Sequence, residues 1–146
     1  MSDPILVDTN VLVYAHNLDS IFNTQALNII KSVIEGRLKG VITHQNLLEF
    51  YSIITSSKRV SQPITPKDAL SLIKDYLNSS FEIIYPNFQT EEILLSLCQE
   101  TNTKGGRIFD AYLAATMLSN NIKSIVTLNT KDFRDFPDIK IIDFDS

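Results

Sequence analysis

The 146-residue sequence has one cysteine, Cys98, two histidines, His16 and His44, and no excess of positive charge. A single thiol excludes an intrachain disulfide framework and a cysteine-based metal cluster, which leaves a reducing, cytoplasmic setting as the default expectation. The histidines are too few and too far apart in pattern to make a good zinc site. No apolar run comes near the ~18 residues that a membrane span needs, and the apolar start Ile5 to Val7 meets Asp8 before it could act as a signal core. We therefore expect no membrane segment and no obvious export. The 17 acidic and 13 basic side chains leave a formal charge of −4, which argues against holding nucleic acid by bulk electrostatics and makes any polyanion contact local. The imbalance sits at the C-terminus, where residues 132–146 carry five acids and two bases, against 12 and 11 before them. Repeats, low-complexity tracts and interdomain linkers are missing too. With 44% hydrophobic residues the length suits one domain spanning residues 1–146, whose core needs neither disulfide nor structural zinc.

What is present is an alternation of short apolar runs and helical patterns. Pro4–Val7, Gly40–Thr43, Phe81–Tyr85, Ser124–Leu128 and Ile139–Ile142 are short, rich in Ile and Val, and lack polar alternation. Such runs fit strands covered on both faces, as parallel strands joined by helical crossovers are. Between them, Ile21–Glu35 carries an apolar stripe through Phe22, Ala26, Ile29, Ile30, Val33 and Ile34, and Gln45–Ser56 repeats it through Leu47, Leu48, Tyr51 and Ile54. Thr65-Pro66-Lys67-Asp68 reads as a capped helix start running to Leu77. Thr90 opens a further helix, and an Ala-rich helix runs from Asp110 to Leu118. The order predicts an α/β fold: a three-layer α/β/α sandwich around a central, mainly parallel five-stranded sheet.

In such a sheet, working groups gather beyond the carboxyl ends of the strands. Asp8, Thr9 and Asn10 follow the first strand directly, and Thr127 and Asn129 flank the end of the fourth, with Asp132 shortly after. Glu49 lies one to two turns into the helix after the second strand. Asp110 opens the helix that leads to the fourth strand, behind a Gly105-Gly106 pair that permits a tight backbone approach. Carboxylates converging without an obvious cationic partner repel one another, and a divalent cation removes that penalty. All-oxygen ligation by Asp, Glu, Asn and water points to Mg²⁺ or Mn²⁺ rather than zinc. Each acid also has a plainer reading: Asp8 and Asp110 as helix caps, Glu49 on a wet helix face, Asp132 in a turn before Phe133. One shared cause explains all four better than separate coincidences do.

With these residues in view, the chain resembles a PIN-domain ribonuclease, the kind that supplies the toxin of virulence-associated (VapBC-type) toxin-antitoxin pairs. Ile5-Leu6-Val7-Asp8-Thr9-Asn10-Val11-Leu12 resembles the family's first motif, Leu47-Leu48-Glu49-Phe50 its second and Ile108-Phe109-Asp110-Ala111 its third. Ile125 to Phe133 resembles the fourth. The resemblance implies that Asp8, Glu49 and Asp110 are the core metal-binding acids. The fourth position is open between Asn129 and Asp132, because family members differ in where that acid falls, and Thr127 resembles a hydroxyl residue that bonds within such sites. It further implies a Mg²⁺- or Mn²⁺-dependent hydrolase that cuts RNA to leave 5′-phosphate and 3′-hydroxyl ends, a homodimer, and an antitoxin protein as partner. Lys58-Arg59, Lys104 with Arg107, and Lys131 with Arg134 flank the motifs as candidate phosphate grips, and Tyr14 and Tyr51 as candidate stacking faces. Three other readings compete. A haloacid dehalogenase-type phosphatase wants an acid where Asn10 stands, and a receiver-type domain wants adjacent acids at one strand end, where Asp8 stands alone. A PIN-like scaffold that binds RNA or protein without cutting is favoured by missing acids, and here the main positions are filled.

Overall fold

In the computed structural model, which describes residues 3–142, all five predicted strands form, four of them shorter by one or two residues. They are β1 (Ile5–Val7), β2 (Gly40–Thr43), β3 (Glu82–Ile84), β4 (Ser124–Val126) and β5 (Lys140–Ile142). Asp143 and Asp145, the last acids of the acidic C-terminal stretch, lie outside the described residues. Every pairing is parallel and the order is β3-β2-β1-β4-β5. Alternate strand residues feed opposite faces, since side chains reverse at each step along a strand. Val7, Ile42 and Val126 pack into a core with α1 (Thr9–Ala15), α2 (Asn23–Ile34), α3 (His44–Ile54) and α4 (Pro66–Leu77). Leu6, Val41 and Ile125 join a second core with α5 (Thr90–Thr101), α6 (Arg107–Ser119) and the segment holding Phe133 and Phe136. Both faces are therefore apolar, which is why the strands read as unbroken hydrophobic runs.

Side-chain caps start three of the six helices among the described residues, α1, α3 and α4. Thr43 closes a capping box with Asn46 at the start of α3, and Thr65 caps α4 ahead of Pro66. Gly40 lets α2 lie on the sheet: an added Cβ would sit 2.5 Å from the Val33 side chain and 2.8 Å from Phe81.

Three expectations need correction. Helix α6 begins at Arg107, one turn before Asp110, so Asp110 is a first-turn residue and not the cap. The Gly105-Gly106 pair is a turn, with Gly105 at φ +55°, and a Cβ at either residue would meet nothing within 4 Å, so no close backbone approach occurs there. Ile34 and Leu48 are exposed, whereas Phe50 is fully buried. At 100° per residue Leu47, Phe50 and Ile54 share the core face of α3, and Leu48 falls a step off it. Among the described residues no helix is long and apolar enough to cross a membrane.

The chain steps from β1 outward to β2 and β3, then crosses back to β4 on the other side of β1. The strand order thus reverses between β1 and β4. At such a switch the flanking loops diverge and open a crevice at the strand ends.

Candidate active site

Asp8 directly follows β1 and is only 8% exposed. It serves as the N-cap of α1, with Oδ1 accepting from Thr9 N at 2.8 Å and Oδ2 from the Thr127 hydroxyl at 2.8 Å. The cap reading and the site reading therefore describe one residue. Thr127, fully buried past the end of β4, spends its only hydroxyl hydrogen on Asp8. Its oxygen accepts from Asn10 Nδ2 at 3.2 Å and from Asn129 N at 3.0 Å. With donor and acceptors of Thr127 all in use, Asp8 is held as an acceptor on both oxygens. Burial pushes the Asp8 carboxyl up to about 6, helped by the negative charges of Glu49 and Asp110 and opposed by the bonds from Thr127 and Thr9.

A second set of bonds ties α1 to α3. Asn46, fully buried, accepts on Oδ1 from Thr43 N at 3.0 Å and the Thr43 hydroxyl at 2.8 Å. Its Nδ2 donates to Thr9 Oγ1 at 2.9 Å and, more distantly, to Asp8 Oδ1 at 3.5 Å. The Thr9 hydroxyl in turn donates to Glu49 Oε2 at 3.4 Å, and Gln45 Nε2 donates to Glu49 Oε1 at 2.9 Å. Gln45 also reaches the Phe109 carbonyl at 3.4 Å, joining α3 to the first turn of α6. Its own Oε1 is buried without a hydrogen-bond partner.

Asp110 sits in that first turn of α6, half-buried, with Arg107 Nε 3.3 Å from its Oδ2. This corrects the expectation of unpartnered carboxylates: residues three apart on a helix face one another, and the pairing became visible only when α6 started a turn early. Burial raises the Asp110 pKa, as does the charge of Asp132, while Arg107 opposes and Glu49 adds to the rise. Arg107 also donates to the Asp132 carbonyl at 3.0 Å, fastening the 3₁₀ turn Thr130–Asp132 to α6.

Asp8, Glu49, Asp110, Asn129 and Asp132 all line one cleft of about 330 Å³ at the carboxyl ends of β1 and β4. Tyr14, Arg59 and Phe109 are on its walls. Tyr51 is not; it packs against the α1–α4 core, because its position on α3 falls between the wet and buried faces. Of the basic pairs, Arg59 alone contributes to this cleft, and Arg107 is committed to Asp110 and the Asp132 carbonyl. Asn46, Gln45 and Phe109 escaped the sequence reading. The signal for Asn46 was its place three residues after Thr43, the spacing of a capping box.

The donors fit a hard cation. They are all oxygen, the neighbouring acids help to raise the pKa of Asp8 and of Asp110, and neither histidine lines the cleft: His16 lies between Phe50 and Tyr76, and His44 pairs with Tyr85. The acids surround the space without closing into a cage, since among the described residues no group of three or more His, Cys, Asp or Glu has metal-site spacing. Mg²⁺ suits such a sparse set, because it keeps several waters and takes only one or two carboxylates directly.

Comparison with known proteins identifies the family. The chain is 24% identical over 130 residues to "Ribonuclease VapC24" of Mycobacterium tuberculosis, covering 89% of each. It is 26% identical over 136 residues to "Ribonuclease VapC37" of the same species, covering 92% of this chain and 93% of that one. Its fold superposes with a TM-score of 0.69 on VapBC2 from Rickettsia felis, at 20% identity over 96% of this chain and 98% of that one. The TM-score is 0.67 on M. tuberculosis VapC20, described as a "Sarcin-Ricin loop cleaving toxin", at 14% identity over 90% and 95%. A profile of the PIN domain matches residues 5–139. That span takes in all four motifs in order, and on it the chain belongs to the PIN domain family.

Proposed function

We propose that this chain, acting as one domain over residues 1–146, is a metal-dependent endoribonuclease that hydrolyses RNA phosphodiester bonds and is the toxin of a toxin-antitoxin pair. One observation carries the reading: Asp8, Glu49 and Asp110, far apart in sequence, share a cleft in which their negative charges help to raise the pKa of Asp8, and Glu49 that of Asp110. Relatives named as ribonucleases support it. The filled acidic positions count against an inactive scaffold.

Asp8 and Asp110 hold the metal, with Glu49 and either Asp132 or Asn129 completing the set. When bound, Mg²⁺ or Mn²⁺ supplies Lewis-acid charge and a water of lowered pKa. The protein's own residues do the rest. Thr127 and Thr9 keep Asp8 deprotonated and fixed against the repulsion of its neighbours. Glu49, restrained by Gln45 and Thr9, orients the attacking water from the solvent side of the cleft. Arg59 meets a phosphate, and Tyr14 and the exposed Phe109 offer aromatic faces to a base. The partners on this reading are RNA, an antitoxin and a second copy of the chain, in the cytoplasm.

The experiment is cleavage of RNA by wild type, Asp8→Asn and Asp110→Asn, with Mg²⁺, with Mn²⁺ and with chelator. Metal-dependent cleavage leaving 5′-phosphate ends is expected for the wild type alone. Undiminished metal-dependent turnover in both variants would sink the assignment.

A further inference from the structure

A second cavity of about 340 Å³ opens beside the acidic cleft, and Val13, Asn17 and Val60 line both. The two spaces are therefore adjoining parts of one surface depression. Their chemistry differs. The acidic cleft has Arg59 on its wall, whereas no lysine or arginine lines the second cavity. The second has an apolar floor of Ile54, Ile64 and Leu72, with Asp19, Ser61 and Gln62 around it. Among the described residues the side chains of Asp19, Ser61 and Gln62 make no hydrogen bond within the protein. Asn17 uses its Oδ1 to accept from Asp19 N at 3.1 Å, so its Nδ2 is also uncommitted.

An apolar floor ringed by neutral amides, one hydroxyl, one carboxylate and the His16 imidazole, whose Nε2 is taken up by the Tyr76 hydroxyl, does not suit a phosphate, which asks for lysine or arginine. It suits a flat, uncharged heterocycle with polar edges. We propose that this second cavity is the base-recognition subsite for the nucleotide next to the scissile phosphate, with Asp19 and Gln62 as specificity-determining residues. The proposal rests on the nuclease reading above and deepens it. The Asp19 carboxylate only accepts hydrogen bonds, so it favours guanine, whose N1–H and exocyclic amino group donate side by side to its two oxygens, over uracil, which offers the single N3–H. The loop after α3 serves both spaces, with Arg59 on the cleft and Ser61 and Gln62 on the subsite. It is fixed where it returns, by Ile64 N donating to Ile54 O at 2.9 Å and Val60 N to Ser56 O at 3.1 Å. Reading a base at a fixed distance from the cut needs such a pinned loop.

The test is end-sequencing of a random-sequence RNA pool cut by wild type, Asp19→Asn and Gln62→Ala. Both residues are exposed, so neither change threatens the fold, and circular dichroism checks it. The wild type should favour guanine over uracil at one position beside the cut by on the order of tenfold, the size of one lost base contact. Asp19→Asn should flatten that preference, and Gln62→Ala should weaken it. Unchanged preference in both variants overturns the subsite and leaves the nuclease reading standing. Absence of any metal-dependent cleavage by folded wild type overturns both. A variant too slow to sequence is read by titration with guanosine and uridine, followed through the Asn17 and Gln62 side-chain amide resonances of the wild type. Equal or absent shifts then overturn the subsite.

Discussion

The two halves of the acidic cleft are built differently. On the strand side Asp8, Thr127, Asn46 and Thr9 are buried, and each hydrogen bond there locks the next. On the helix side Glu49 and Asn129 are exposed and Asp110 and Asp132 half-buried, held by Gln45 and by Arg107. The buried half supplies fixed geometry at a cost in stability, because it keeps a carboxylate out of water. The outer half supplies charge cheaply, because water shares the load. Changes in the first should move folding and cleavage together, and changes in the second should move cleavage alone.

The largest expected effect is loss of cleavage. Asp8→Asn and Asp110→Asn should each reduce the rate by on the order of 10³-fold or more, the scale of removing a principal charge-stabilising group from an active site, measured on a single RNA with Mg²⁺.

Next comes the buried donor. Thr127→Val removes the hydroxyl bound to Asp8 and strands Asn10 Nδ2 and Asn129 N. It should cost about 1–3 kcal/mol of stability in chemical denaturation, and it should slow cleavage as well. Glu49→Gln should slow cleavage by about 10–100-fold while shifting stability by less than about 0.5 kcal/mol.

The third test follows protons. The folded pKa of Asp8, about 6, lies above its ordinary value of 3.8. The folded chain thus holds this proton more tightly than the unfolded chain. The associated stability is full below 3.8 and lost as pH rises through about 6. In metal-free protein the stability of Asp8→Asn relative to wild type should therefore rise by on the order of 2–3 kcal/mol between pH 3.5 and 7.5, and Mg²⁺ should restore the wild type selectively. His16 acts with the opposite sign. Burial lowers its pKa from 6.5, so its contribution is present above 6.5 and lost as pH falls. Only the difference between variant and wild type isolates Asp8.

The smallest effect is expected at Gln45. Its amide bridges Glu49 and the Phe109 carbonyl, and its buried Oε1 has no partner. Gln45→Ala removes a useful bond and a costly orphan together, so stability should stay within about 0.5 kcal/mol, with cleavage reduced severalfold through a less ordered Glu49.

How much of this was legible in the sequence follows the same division. The strands were readable because Leu6 and Val7, Val41 and Ile42, and Ile125 and Val126 each split between two cores, leaving no polar position in the run. Asp8 was readable because it follows such a run directly. The helix side was less so. Two glycines disguised the first turn of α6, and with it the Arg107–Asp110 pair. Leu48 and Phe50 look interchangeable in sequence, and only the seating of α3 decides that Phe50 is core and Leu48 surface. Asn46 reads as an ordinary polar residue at a helix start. Its burial against Thr43 and Thr9 depends on the contact between α1 and α3, which local sequence does not encode.

The most direct measurement is Mn²⁺-induced broadening of backbone amide resonances at substoichiometric metal. Sharing of one ion by the two halves predicts simultaneous loss of the Asp8, Thr9, Asp110 and Asn129 signals in wild type, and of none of them at the same Mn²⁺ level in Asp8→Asn. Broadening confined to one half, or an unaltered pattern in the variant, would contradict it.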